Sequence, residues 1–260
     1  MRALSWLFLA FAAACATVPP RAATTERTAA VVQAALDGEA LYTLAGGLKP
    51  MSQGIWQGQV VLDAPDLGEV RAVRAALAPW RNDELWADVA VFSTPYAGKR
   101  AAIAYVMHRQ AVADVVAQHQ AFFAPHGIAV DTHPAEVAAV VERMPELDRH
   151  RGLGLLFGYP LPAIEFFVTA SASAKATGEQ VPRRFVQIPT FAHATGRFVY
   201  AVPADAPETA ADRELAARAG VVLARCRELR AATPATDADT LLTIAATLSR
   251  EFAADTAVAR

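Results

Sequence analysis

Apolar positions along the chain follow two rhythms. Residues 28 to 45 read as a first helix, ended by Gly46 and Gly47, because glycine tolerates the backbone just past a helix end. Residues 48 to 54 then read as a loop, 56 to 62 as a strand and 66 to 78 as a short helix. Segments 85 to 92 and 101 to 107 are apolar on both faces, the pattern of strands in the middle of a covered sheet. The turn residues of 93 to 98 between them predict a hairpin. A second hairpin is predicted from 185 to 193 and 197 to 202, turning at Ala194, Thr195 and Gly196.

Elsewhere the period is helical. Residues 110 to 123 carry a stripe of Val112, Val115, Val116, His119, Phe122 and Phe123. Residues 134 to 144 open with proline in the first turn, where its missing N–H costs nothing. Helices 146 to 157 and 162 to 173 flank the break Gly158-Tyr159-Pro160. Asp205 and Glu208 have capping-box spacing and predict the start of a helix ending near Ala231. Leu215, Ala219, Val222, Cys226 and Leu229 share one face of it. A last helix, 239 to 253, places Leu241, Ile244, Ala245, Leu248 and Phe252 on one side and is expected to pair antiparallel with its predecessor. Hairpins and helices are mixed rather than strictly alternating. The expectation is an α+β fold, with helices packed on a mostly antiparallel sheet and a C-terminal helical hairpin, in a single globular domain over 28–260. The alternative is a three-layer α/β arrangement with a doubly wound sheet. No glycine-rich phosphate fingerprint follows any strand, which weakens a nucleotide-binding reading.

The N-terminus has a different pattern. Arg2 supplies a positive charge, and residues 4 to 14 are apolar apart from Ser5. A run of about ten residues is too short to cross roughly 30 Å of hydrocarbon, so residues 1–14 read as a cleaved signal peptide. Ala12-Ala13-Ala14-Cys15 resembles the lipobox of bacterial lipoprotein precursors. The resemblance covers residues 1–16. It implies cleavage before Cys15, a thioether-linked diacylglycerol on that cysteine, and 15–27 as lipidated cysteine and tether. It also implies anchoring in the bacterial envelope. Ala16, in place of the aspartate that retains such proteins on the inner membrane, implies the outer membrane, facing the periplasm. Position 12 departs from the family, which favours leucine there. The same residues also fit an Ala-x-Ala site of ordinary signal peptidase, which would leave a soluble periplasmic or secreted protein.

Net charge is −2 with acids and bases mixed, and no basic stripe points to nucleic acid. Lysine stands only at Lys49, Lys99 and Lys175 in an arginine-rich chain, which reads as genome composition. If Cys15 carries lipid, no disulfide forms and Cys226 is left as a small buried hydrophobe on its stripe.

Candidate chemistry is sparse. His108, His119, His126 and His133 crowd into one stretch. On one helix, however, His108 and His119 would sit about 16 Å apart, too far for one metal ion. No metal or cofactor is therefore expected. His119 should be a core histidine with a hydrogen-bond partner, and the others polar loop or cap residues. That partner is structural or a cleft carboxylate, the latter making His119 a catalytic candidate; Glu165, lodged among Ile164, Phe166 and Phe167, is the second, since a carboxylate against aromatics has a raised pKa, with a water-facing place at the edge of the stripe as the plain alternative. His108, Tyr159, His193 and Trp56 are weak ligand-binding candidates, with strand anchoring as the plain alternative for Trp56. No serine sits in a Gly-x-Ser-x-Gly elbow. Lys49-Pro50-Met51-Ser52 reverses a Ser-x-x-Lys motif, and its glycine-bounded loop suggests exposure. Three functional classes follow. The first is an envelope lipoprotein whose domain binds a small ligand or another envelope protein. The others are a periplasmic hydrolase or metal-dependent enzyme without a recognisable motif, and a structural accessory protein.

Overall fold

The computed structural model describes residues 24–258. The signal peptide, Cys15 and residues 16–23 lie outside the described residues. The order is α1 (Thr24–Asp37), α2 (Leu41–Leu44), β1 (Met51–Val61), α3 (Gly68–Ala76), β2 (Leu85–Val91), β3 (Lys99–His108), α4 (Arg109–Gln118) and α5 (Gln120–Phe123). Then come α6 (Pro134–Arg143), α7 (Glu146–Leu156), α8 (Leu161–Thr177), β4 (Arg183–Ile188), β5 (Phe198–Pro203), α9 (Ala210–Ala232) and α10 (Ala238–Val258).

The fold is α+β. Strands β1, β3 and β2 form one antiparallel sheet with β3 in the middle, Met51 opposite Met107 and Leu85 opposite His108. Strands β4 and β5 form a separate antiparallel pair, so the expected single sheet is two small ones. Side chains alternate across a strand, and β3 uses both faces. Ala104 and Val106 join a core with α1, α2, α3, β5, α9 and α10. Tyr105 and Met107 join a second core with α4, α6, α7 and α8. This double coverage is why β2 and β3 read as apolar on both faces.

Several elements differ from the sequence pattern for identifiable reasons. The first helix breaks after Asp37 instead of running to Ala45, and Gly38 and Glu39 turn the chain into α2. Residues 24–27, expected in the tether, already form the first turns of α1, where Arg27 is buried and pairs with Glu69 of α3. Strand β1 starts at Met51 and takes in half of the expected loop. Its register shifts between Gln53 and Gln57, around Gly54 at φ +78°. The 110–123 helix divides at His119, whose carbonyl accepts from both Phe122 and Phe123, and Phe123 is turned fully into the second core. Helix α9 is capped by Thr209 and Asp212 rather than Asp205 and Glu208. Asp212 accepts from the Thr209 backbone at 2.8 Å and from the Tyr200 hydroxyl of β5. Burial opposes its charge, yet the Tyr200 and Thr209 bonds hold its pKa below the ordinary aspartate value.

Helices α9 and α10 do form the C-terminal pair, tied by Arg225 to Glu251 at 2.7 Å. Cys226 is wholly buried in the first core, and burial pushes its thiol pKa up to about 11. A reagent needs access and thiolate, and Cys226 offers neither. The expected outcome is that Cys226 resists a thiol-reactive dye in the native protein and labels promptly once guanidinium unfolds the chain. Fast labelling without denaturant contradicts the packing of α9.

Candidate functional site

The most unusual group in the fold is built around the segment 46–50 that joins α2 to β1. Gly46 and Gly47 both have φ +75°, a conformation that side chains with a Cβ rarely adopt. A Cβ on Gly47 would stand 2.9 Å from the ring of His108. On the opposite side, a Cβ on Gly158 would come within 3.0 Å of Pro50 and 3.1 Å of the Leu48 carbonyl. The segment is thus gripped between the start of α4 and the α7–α8 turn. Its ends are tied by Lys49 N–H to Tyr42 C=O at 3.2 Å and by His108 N–H to Pro50 C=O at 2.9 Å.

Clamped this way, Lys49 is driven into the interior, and its side chain is 0% exposed. Its ammonium donates to Glu39 Oε2 at 2.9 Å. Around it stand three rings: Phe198 with its centroid 4.1 Å from Nζ, and Phe157 and Tyr159 at 5.1 Å each. The negative ring faces favour a cation that has left water. The aromatic wall extends outward through Tyr159 on Tyr200 and Tyr42 on Phe198, each 5.4 Å apart. Tyr42 in turn donates its hydroxyl to the Pro189 carbonyl.

Glu39 owes its position to the break between α1 and α2. Its Oε1 accepts from Gln53 N–H at 3.4 Å, and its carbonyl accepts from the Ser52 hydroxyl at 3.1 Å. Ser52, also buried, shares a 2.8 Å hydrogen bond with Thr43. Burial pulls the Lys49 pKa below the ordinary lysine value, and the Glu39 charge and hydrogen bond oppose that pull. The Tyr159 phenol is pushed well above its usual value, first by burial and then by the Glu39 charge. A neutral amine is a nucleophile or a base. Here burial favours the neutral amine, the carboxylate and the rings favour the ammonium form, and the side chain has no exposed surface from which a substrate could reach it. What reaches solvent is the Glu39 carboxylate, 18% exposed.

The sequence candidates scatter. Tyr159 belongs to this wall, and His108 backs the segment from the other side. The other candidates do not join them. His119 is half-buried at the α4–α5 break rather than in the core, although burial lowers its pKa. Glu165 is exposed, on the solvent-facing edge of its stripe, and makes a two-pronged ion pair with Arg151 at 3.1 and 2.6 Å. His193 is exposed in the β4–β5 loop. Trp56 lies across Gly58 of its own strand and packs by the Val60, Val70 and Ala102 cluster, an anchoring role. His108 and His133 cap α4 and α6 through Nδ1, accepting from Ala111 at 3.3 Å and from Ala135 at 3.2 Å. His108 Nε2 stands 3.6 Å from Glu84, which also accepts from the Ser249 hydroxyl. That order has the carboxylate between serine and histidine, so it does not activate the serine. Among the described residues, no group of three or more His, Cys, Asp or Glu is arranged to hold a metal ion.

The expected exposure of Lys49 and Ser52 is overturned, because β1 begins early enough to carry Ser52 inward and Glu39 balances the lysine charge. Glu39, Phe157 and Phe198 are the residues that sequence reasoning missed. One available signal was the lysine itself, a rare residue in this chain held in the apolar run Gly47-Leu48-Lys49-Pro50-Met51. No protein-family model, curated protein or solved structure matches the chain.

Removing one partner of a buried pair strands the other, so Lys49→Ala should lower stability by about 3–5 kcal/mol. Lys49→Met combined with Glu39→Gln should lose less than the sum of the single variants, with a coupling of roughly 0.5–3 kcal/mol in urea unfolding. Additive losses would show that the pair contributes nothing jointly. A second expectation concerns pH. Unfolded His119 takes up its proton near the ordinary value of 6.5, while the folded ring stays neutral to lower pH. The unfolded state then binds more protons, and stability falls as pH drops through 6.5 until the folded pKa is reached. His150, lowered chiefly by burial, adds in the same direction. The urea midpoint of His119→Gln should therefore decline less steeply than that of the parent across this window.

Proposed function

We propose that the protein is a lipoprotein of the bacterial envelope, anchored through Cys15 and facing the periplasm, whose folded domain binds rather than catalyses. The observation that carries this reading is the lipobox-like Ala12-Ala13-Ala14-Cys15, followed after only residues 16–23 by the first turn of α1. A lipidated cysteine so close to a folded domain is the arrangement of a tethered module. No helix among the described residues is long and apolar enough to cross a membrane, so attachment would fall to the lipid.

Binding is favoured over catalysis by the state of Lys49. A reactive amine needs an approach for the substrate. Lys49 has a carboxylate partner, three flanking rings and no exposed surface. These features support a structural lock that fixes the surfaces around it. On this reading the ligand or envelope partner meets those surfaces.

Cys15→Ser should abolish acylation and move the domain from the membrane fraction to the soluble fraction. Intact-mass measurement of the membrane-extracted parent should give a chain beginning at Cys15 with a diacylglycerol adduct. An unmodified mature chain beginning at Cys15 or later overturns the anchored reading and leaves an exported soluble protein.

A further inference from the structure

The end of the β1–β3–β2 sheet opposite Lys49 carries two adjoining turns rich in exposed apolar side chains. One is the stretch from Val61 to Leu67 that leads into α3. The other is the hairpin turn between β2 and β3. Val61, Leu62, Leu67 and Val91 are 38–43% exposed, and Tyr96 is 85% exposed. They are five of the ten exposed large hydrophobic residues among those described. Scattered single residues of this kind need no explanation, but half of them meeting at one end do. The two turns are joined, with Leu62 N–H donating to Gly98 C=O at 3.0 Å. Tyr96 is held outward by a two-residue turn whose central residues, Ala97 and Gly98, have φ +49° and +72°. Ala97 is the one residue other than glycine described with positive φ, so the chain accepts a strained backbone to present this tip.

Helix α1 begins beside the start of α3, where Val70 packs with Val60 near the end of β1. At its far end Glu39, just past the helix, accepts from Ser52 near the start of β1. At its near end Arg27, one turn from Thr24, pairs with Glu69, two residues beyond Leu67. The chain therefore enters the fold beside the apolar tip. From Cys15 to Thr24 there are nine residue steps, which span at most about 30 Å when fully extended. An anchor of that length keeps the start of α1 within about 30 Å of the headgroups, so the tip beside it can reach them.

We propose that this tip, formed by Val61, Leu62, Leu67, Val91 and Tyr96, is seated in the interface of the bilayer that holds the Cys15 lipid. The proposal rests on the anchored reading above. The chemistry suits a lipid surface of either charge. Lys99 and Arg100 on the hairpin are offset by Asp63 and Asp66 in the neighbouring turn, so apolar insertion, not attraction to anionic lipid, supplies the contact. Tyrosine is favoured where one end of the ring is apolar and the other wet.

The test uses the full-length, membrane-extracted protein in phosphatidylcholine vesicles, with acylation of Cys15 verified by mass. An environment-sensitive dye is attached at Tyr96→Cys, or at Val221→Cys on exposed α9 as reference; Cys226 is buried and does not compete. The expected result is a blue-shifted dye at position 96 that headgroup-depth spin-labelled lipids quench several-fold more than the dye at position 221. The double variant Leu62→Ser, Val91→Ser should reduce that quenching while melting like the parent. Equal, water-like emission at both positions in acylated protein overturns the proposal and leaves the anchor standing. Shielding of position 96 only on adding envelope extract assigns the tip to a protein and also overturns it. A chain without acyl groups overturns the anchored reading, and the proposal with it.

Discussion

An ammonium removed from water is tolerated only where its charge is balanced and its donors are occupied. Lys49 imposes that condition on four other stretches of chain. The α1–α2 turn must supply Glu39, β1 must start early enough for Gln53 to hold the carboxylate, and the α7–α8 turn and β5 must bring the rings. Gly46, Gly47 and Gly158 then follow as necessities, because any side chain there would push apart the segment that carries the lysine. A hydrophobic residue of similar length could fill the same space at less electrostatic cost. It would not select this arrangement of turns over others of similar apolar content. The pair therefore serves to specify the arrangement.

The local pattern revealed elements whose burial is uniform along their length. Strands β2 and β3 were legible because each side of β3 faces a core, and α10 because its Leu241–Leu248 stripe is unbroken. The α+β class followed from these. The first half of β1 was not legible, since Ser52, Gln53 and Gly54 carry no alternation; its strand geometry comes from pairing with Tyr105, Val106 and Met107. The cap of α9 shows the limit of spacing rules. Asp205 with Glu208 and Thr209 with Asp212 have the same separation, and the choice falls to Tyr200, which reaches the second pair from another element.

The candidate site was less legible for the same reason. Lys49 and Glu39 are ten residues apart, and a straight helix over 28–45 leaves no reason for them to meet. Phe157, Tyr159 and Phe198 are more than a hundred residues downstream. Gly158-Tyr159-Pro160 could be read as a turn, but not as a turn whose glycine must admit Pro50. His108, His119, Tyr159, Glu165 and His193 do not meet in one pocket, and nothing in the spacing of any one of them shows which distant element it faces. His108 and His133 serve as helix caps, a local duty of Nδ1 that the stripe pattern does not reveal.

Strand β1 connects the two ends of the molecule. It starts at the sealed lysine and finishes at the apolar tip, about 35 Å of strand for its 11 residues. Helix α1, about 20 Å long for its 14 residues, covers part of that length; the chain just past its end is tied to β1 at Glu39 with Ser52, and its start is tied to α3 at Arg27 with Glu69. On the proposed orientation the Lys49 end, with the partly exposed edge of Glu39 and the open β4–β5 loop around His193, is carried away from the bilayer into the periplasm. The surface best placed to meet an envelope partner is then the one that the buried ion pair holds in shape. A lock that contributes no chemistry of its own would still govern binding there, by fixing the geometry of what stands above it.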